Sequence, residues 1–361
     1  MERYRSWLAL KQVPGVGNVL YRRLIEHFKN PESVFSEGRE ALLKVEGMTG
    51  SVAAGITSFR NYTDVDQELE KVEKEGASLL CLNDACYPAL LLEIYDPPPI
   101  LYMKGIWREQ AFYPLAIVGA RKTTHYGRTV TEKLCRDLVR HGVTVVSGFA
   151  RGIDGLAHRT TLSEGGRTIA VLGSGIDTIY PSEHEKLFDQ MVEEGTIFSE
   201  FPMGALPEPH HFPQRNRVIS GLSMGCVVVE ATLKSGSLIT ARLALEQGRE
   251  VFAVPGPILS ETSAGPNQLI ASGAKLVQGV DDILDELRPT LEKRLPGLPE
   301  ERPQLESDEE ILYGILSSEP KHVDQVIMES AKTSSSVSEL LLTLELKGMV
   351  KQLAGQYYVK M

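Results

Sequence analysis

Glycines set beside single arginines, at the ends of apolar runs, are the residues of this chain best suited to chemistry. Gly119-Ala120-Arg121 is one such group, and Ser147-Gly148-Phe149-Ala150-Arg151-Gly152 is a second. Gly173-Ser174-Gly175 and Ser235-Gly236-Ser237 repeat the small-residue pattern without a cation, and the segment FPQRNRVISGL adds Arg215, Asn216 and Arg217 at the start of a helical stretch. Glycine lets backbone N–H groups approach an oxyanion closely, and a guanidinium offers a fork of donors matched to phosphate. The chemistry implied is the gripping of a phosphate-rich ligand. Its expected contacts are Gly119, Arg121, Ser147, Gly148, Phe149, Arg151, Gly152, Ser174, Arg215, Asn216, Arg217 and Ser237, with Arg151 the chief phosphate ligand.

Other chemistries fit less well. There is no G-x-x-x-x-G-K-[ST] loop, and Thr178 stands where a dinucleotide fingerprint beginning at Gly173 needs its third glycine. His158, His184, His210 and His211 suggest a metal or an acid–base pair. However, His158 falls four residues after Asp154 on one helix face, which reads as a packing histidine behind a capping aspartate. Asp177 reads as a second helix cap. Phe149 has two readings, stacking on a base or packing beneath its own loop. No catalytic residue, metal ligand set or cofactor is expected.

A parallel sheet would bring these turns together. Buried strands are expected at 115–118, 143–146, 168–172, 196–199, 226–229, 251–254 and 275–277, alternating with helices near 126–140, 154–163, 182–193, 238–247 and 267–271. Right-handed crossovers close that pattern into an α/β, Rossmann-like, doubly wound, mostly parallel sheet whose carboxyl edge binds ligands. Before it, residues 1–62 show two helix-hairpin-helix (SAM-like) signals, around Pro14-Gly15-Val16-Gly17 and Glu46-Gly47. Either the first turn, with Lys11, Arg22 and Arg23 nearby, meets a DNA phosphate, or the pair is a purely structural tandem hairpin. The proline-rich approach near 96–99 is expected to add a strand or two to the sheet's edge. The ligand-binding domain is placed at 63–287, a mobile linker at 288–305 and a winged helix at 306–361. Its would-be recognition helix sets Glu339 and Glu345 against Lys347, which favours protein docking or self-regulation over duplex reading.

The 361 residues carry a net charge of −10, so a polyanion can be bound only through a local basic patch. Arg121, Lys122, Arg151, Arg215 and Arg217 are expected to supply it. Four cysteines without a completing ligand pair read as reduced core thiols of a cytoplasmic protein. No apolar run long enough for a membrane span or a secretion signal is present, and no membrane association is expected.

The blocks SGFARGIDGLAH, IAVLGSGIDTIYP, FPQRNRVISGLS, VVVEATLKSGSLITARLALEQGREVFAVPG and GPNQLIASGAKLV resemble, in order, those of the DNA-processing protein A family, DprA or Smf. The resemblance implies a non-enzymatic, cytosolic single-stranded DNA-binding protein. Such a protein guards incoming DNA in natural transformation, helps load the RecA recombinase, and is usually a homodimer through the sheet domain. The family's glycine-[Ser/Thr]-arginine motif corresponds to Gly119-Ala120-Arg121, and Ala120 removes one possible phosphate hydrogen bond, worth about 1 kcal/mol. The other reading is a nucleotide-processing enzyme of the lysine-decarboxylase-like phosphoribohydrolase type, with Glu230 as its candidate carboxylate.

Overall fold

The computed structural model describes residues 2–107, 113–294, 307–317, 319–330, 332–347, 349–353 and 355–360. It divides into two compact units, Met1–Pro289 and Thr290–Met361.

The first unit is built on nine strands: β1 (Ser78–Cys81), β2 (Ile100–Gly105), β3 (Tyr113–Val118), β4 (Val143–Ser147), β5 (Thr168–Val171), β6 (Thr196–Ser199), β7 (Gly225–Val228), β8 (Glu250–Ala253) and β9 (Lys275–Leu276). Their order is β1-β2-β6-β5-β4-β3-β7-β8-β9. From β6 to β9 every pairing is parallel, whereas β2 lies antiparallel to both β6 and β1. The proline-rich approach segment therefore does extend one edge, by two strands. Strands β4, β5, β6 and β7 are buried along their whole length, as continuous apolar runs covered by helices on both faces require. Successive strands step away from β3 in one direction through β4 to β6 and in the other through β7 to β9. The carboxyl ends of β3, β4 and β7 thus flank a topological switch point, where the crevice of such a sheet opens.

The helices before residue 62 share this core, since one contiguous buried cluster runs from Trp7 and Leu24 to Val228 and Val251. Helices Arg5–Gln12 and Asn18–Phe28 form the first hairpin, and Arg39–Leu42 with Gly50–Thr57 form the second. At their contact Gly15 has φ +88°, and a Cβ there would strike Val52, so the close approach of the hairpins needs a glycine. The cations expected to meet DNA are used elsewhere. Lys11 is half-buried, with its ammonium donating to the Glu200 carbonyl at 2.7 Å and its pKa lowered by desolvation there. Arg22 donates to the Ile94 carbonyl at 3.0 Å and pairs with Glu26, and Arg23 bonds the Glu46 carbonyl at 3.1 Å. The arrangement supports the structural reading of the tandem hairpin.

Cys81, Cys135 and Cys226 are buried thiols, as expected, but Cys86 is exposed. Helix Val280–Arg294 occupies the first part of the stretch expected to be a mobile linker; 295–305 lies outside the described residues.

The second unit contains helices Ser307–Ile315, Val323–Ser330 and Ser334–Leu346, with strands Lys321–His322, Val350–Leu353 and Tyr357–Lys360 in one antiparallel sheet. Leu312, Val326, Val337, Leu341, Leu344 and Val350 fill its core. Three helices closed by a hairpin are the expected winged helix.

Candidate nucleic-acid interface

The loop after β3 begins with Gly119, where a Cβ would overlap Ile153, so glycine is what lets helix Ile153–Ser163 pack against this strand end. Ala120 is buried, and its carbonyl accepts the Ile153 N–H at 3.2 Å. Arg121 and Lys122 emerge into solvent, with no carboxylate within ion-pairing distance among the described residues. These two cations are the free ones of the patch.

The turn after β4 differs from expectation at several residues. The Ser147 hydroxyl is fully buried and donates to the Ile117 carbonyl at 2.6 Å, which ties β4 to β3. Gly148, expected to meet an external anion, instead lies against the buried carboxylate of Asp154, which a Cβ there would strike, and the Gly148 and Ala150 backbone helps hold the pKa of that carboxyl down. Asp154 is therefore not the helix cap; that position belongs to Gly152, at φ +79°, and the carboxylate instead fills the turn from within. Burial raises the Asp154 pKa, and the neighbouring guanidinium of Arg215 opposes the rise.

Phe149 does not face a base. It is 0% exposed at φ +59°, with its ring 5.2 Å from His184 and 6.2 Å from Phe188, so the packing reading holds. Arg215 is buried and donates to the Gly148 and Val171 carbonyls, and burial pushes its pKa down to about 10. It braces the turn from below instead of meeting solvent. Arg217 turns away altogether, pairing with Glu200 and reaching the Asp96 carboxylate at 3.2 Å. Asn216 accepts from Arg215 at 3.1 Å and donates to the Gly236 carbonyl at 3.4 Å. The Ser174 hydroxyl is spent on the Thr178 carbonyl at 2.8 Å, while the Ser237 hydroxyl is buried without a hydrogen-bond partner. Asp177 caps no helix: its carboxylate accepts the Gly204 N–H at 2.8 Å.

Arg151 is exposed as expected, but it forms a fork with Glu183, Nε to Oε1 at 2.6 Å and Nη2 to Oε2 at 2.5 Å. That pair lowers the carboxyl pKa of Glu183. Both partners stand in solvent, where an ion pair is weak enough to be exchanged for a phosphate.

The surface left open is a cavity of about 200 Å³ at the carboxyl ends of β3, β4 and β5. Arg121, Lys122 and Arg151 supply its cations, Gly148 and Gly173 its backbone, and Tyr180 and Phe212 its rings. The Tyr180 and Phe212 rings lie 5.7 Å apart, and the Arg121 guanidinium sits 5.1 Å above Phe212. Neither aromatic was expected from the sequence. The available signal was that each flanks a proline, in Tyr180-Pro181 and Phe212-Pro213, beside a small-residue strand end. His158 is a buried packing group, bonded to Thr168 at 2.6 Å and with its pKa lowered by burial to about 3. Among the described residues, Glu208, His210 and His211 form the one group of three potential metal ligands, on an exposed loop.

The class is an α/β protein with a doubly wound sheet that carries free cations and a tilted ring pair at its carboxyl edge. Residues 78–288 match the model of the DNA recombination-mediator protein A family, and residues 296–356 match that of the DprA winged helix domain. The chain belongs to the DNA recombination-mediator protein A family. It is 38% identical to Protein Smf of Synechocystis, across 98% of this chain and 97% of that one. It is 43% identical to DNA processing protein DprA of Bacillus subtilis, across 63% of this chain and 76% of the relative. Among solved structures, DNA processing protein A of Streptococcus pneumoniae superposes with a TM-score of 0.69 at 34% identity, covering 78% of this chain and 97% of that one. The Helicobacter pylori protein, solved for its single-stranded DNA binding mode, superposes with a TM-score of 0.54 at 30% identity, covering 59% and 96%.

Proposed function

We propose that this chain binds single-stranded DNA along the carboxyl edge of its sheet. The observation that carries the reading is the cavity at the carboxyl ends of β3, β4 and β5, where Arg121 and Lys122, with no ion pair among the described residues, stand beside the Tyr180–Phe212 ring pair. Cations hold phosphates without regard to sequence, and an open ring pair receives an unstacked base, which a duplex keeps inside its stack. The Helicobacter pylori protein binds single-stranded DNA, and this chain carries the same fold. In the finer reading, which rests on the family resemblance, a cytoplasmic homodimer protects incoming DNA in natural transformation and passes it to the RecA recombinase. No helix among the described residues is long and apolar enough to cross a membrane.

The enzymatic alternative needs Glu230 free for chemistry. That carboxylate is buried and accepts the Thr124 N–H at 3.0 Å, the Thr124 hydroxyl at 2.5 Å and the Thr262 hydroxyl at 3.3 Å. It anchors the start of helix His125–Arg140, which supports binding without turnover. Release of base from nucleoside monophosphates by the pure protein, abolished in Glu230→Gln, would overturn that assignment.

Fluorescence anisotropy with labelled single-stranded and duplex oligonucleotides, each at two salt concentrations, tests the main reading. Single strands are expected to bind more tightly, with log affinity falling by about 0.7 per phosphate contact for each tenfold rise in salt. Arg121→Ala should weaken binding and make that slope shallower by about 0.7. Equal affinity for duplex, or a slope indifferent to Arg121→Ala, would sink the groove assignment. Glu183→Gln should release Arg151 and tighten binding about two- to fivefold at low salt, an effect that fades as salt screens it.

A further inference from the structure

Beyond the cavity, a second set of cations lacks counter-charges. Helices His125–Arg140 and Ile153–Ser163 both start at the carboxyl edge of the sheet and pack side by side. Away from that edge their contact is neutralised, because Arg136 Nε meets Glu164 Oε1 at 2.9 Å. Nearer the edge stand Arg128 and Arg159, both exposed, and among the described residues no carboxylate lies within 4 Å of either. The two guanidiniums feel each other: the pKa of Arg159 is lowered first by burial and then by Arg128. Arg159 in turn contributes, after burial, to lowering the pKa of His184.

The placement is unfavourable for an isolated protein. Arg128 occupies the first turn of a helix with no acidic residue there, where the peptide dipoles already carry positive charge. Its Nε donates to the Thr123 hydroxyl at 3.1 Å, which fixes it next to Lys122. Nearby arginines follow the opposite rule: Arg136, Arg140 and Arg151 each have a carboxylate partner. In a chain of net charge −10, acids to neutralise Arg128 and Arg159 are plentiful, yet the fold brings none to them.

We propose that Arg128 and Arg159 form a second phosphate subsite outside the cavity, which holds the phosphodiester backbone of a single strand where it leaves the pocket past Lys122. This rests on the single-stranded DNA reading and extends it: the strand runs from the ring pair across the first turn of helix His125–Arg140 to Arg159 in the second turn of helix Ile153–Ser163. An anion there offsets two like charges and a helix N-terminus together.

The test uses the full chain and two oligothymidylates, one of about two nucleotides that occupies only the cavity and one of about twenty that crosses both sites. In the double variant Arg128→Gln/Arg159→Gln, the short strand should bind as to the parent protein. The long strand should lose about five- to thirtyfold at low salt, with a slope shallower by about 1.4 for two lost contacts. The paired lysine variant, Arg128→Lys/Arg159→Lys, should restore most of the loss, because charge and not packing is at issue. Equal losses on both strands, no loss on the long one, or failure of the lysine pair to restore binding would each overturn the subsite. Failure of the parent protein to bind either strand would instead overturn the reading on which it rests.

Discussion

Replacing Phe212 by alanine is expected to weaken single-stranded DNA binding by about 1–3 kcal/mol, or roughly five- to 150-fold, as loss of one stacked base requires. Phe212 is half-buried at the start of helix His211–Gly221, its ring is 5.7 Å from that of Tyr180, and Arg121 lies across its face. Truncation removes the stacking platform and also the surface that orients the Arg121 guanidinium, so both the base and the phosphate contact suffer. The salt slope should change by less than one contact, because no charge is removed. Oligonucleotide titration of Phe212→Ala beside Phe212→Tyr separates stacking from packing, since tyrosine keeps a ring. Affinity unchanged in Phe212→Ala would show that bases do not enter this cavity.

Phe149→Ala should behave in the opposite way. Its ring is fully buried among His158, His184 and Phe188, and truncating a core phenylalanine costs about 3–5 kcal/mol. Its left-handed backbone, φ +59°, is maintained by the turn around it: the Phe149 carbonyl accepts from His184 at 3.2 Å, and the adjoining Gly148 lies against the Asp154 carboxylate. The substitution therefore empties a hole beneath the turn without touching the ligand-facing surface. Urea denaturation should show the full stability loss, while single-stranded DNA affinity per folded molecule should move by less than about threefold. A loss of affinity at undiminished stability would mean that Phe149 reaches the strand after all.

The two phenylalanines illustrate how far the sequence can be read. Phe149 lies in a glycine-rich turn at a strand end and Phe212 at the start of a helix, so by residue type and place Phe149 is the better candidate for a base. Burial decides otherwise, because the turn folds over Phe149 and closes on the carboxylate of Asp154. Arg215 and Arg217 make the same point on one helix. Two positions apart, they point to different sides: Arg215 beneath the central turn, and Arg217 to Glu200 and Asp96. Neither reaches solvent as a phosphate ligand, and the free charge of the patch is Arg121 and Lys122, with Arg151 held in an exchangeable pair.

The strands, their crossover helices, the winged helix and the clustering of glycine turns at one sheet edge were all legible in the sequence. Strand periodicity, glycine at tight turns and apolar runs for a doubly covered sheet are preferences of short segments, which neighbouring residues express by themselves. Which arginines remain free is not such a preference. Arg151 meets Glu183 across 32 residues and Arg217 meets Glu200 across 17, whereas among the described residues no carboxylate comes within 4 Å of Arg121 or Lys122. A cation binds a phosphate or a carboxylate by the same forces, so its role depends on which acids the tertiary fold carries to within a few ångströms. The sequence by itself determined that glycine turns and cations would gather at this edge; the tertiary structure decided which of those cations are left without a carboxylate.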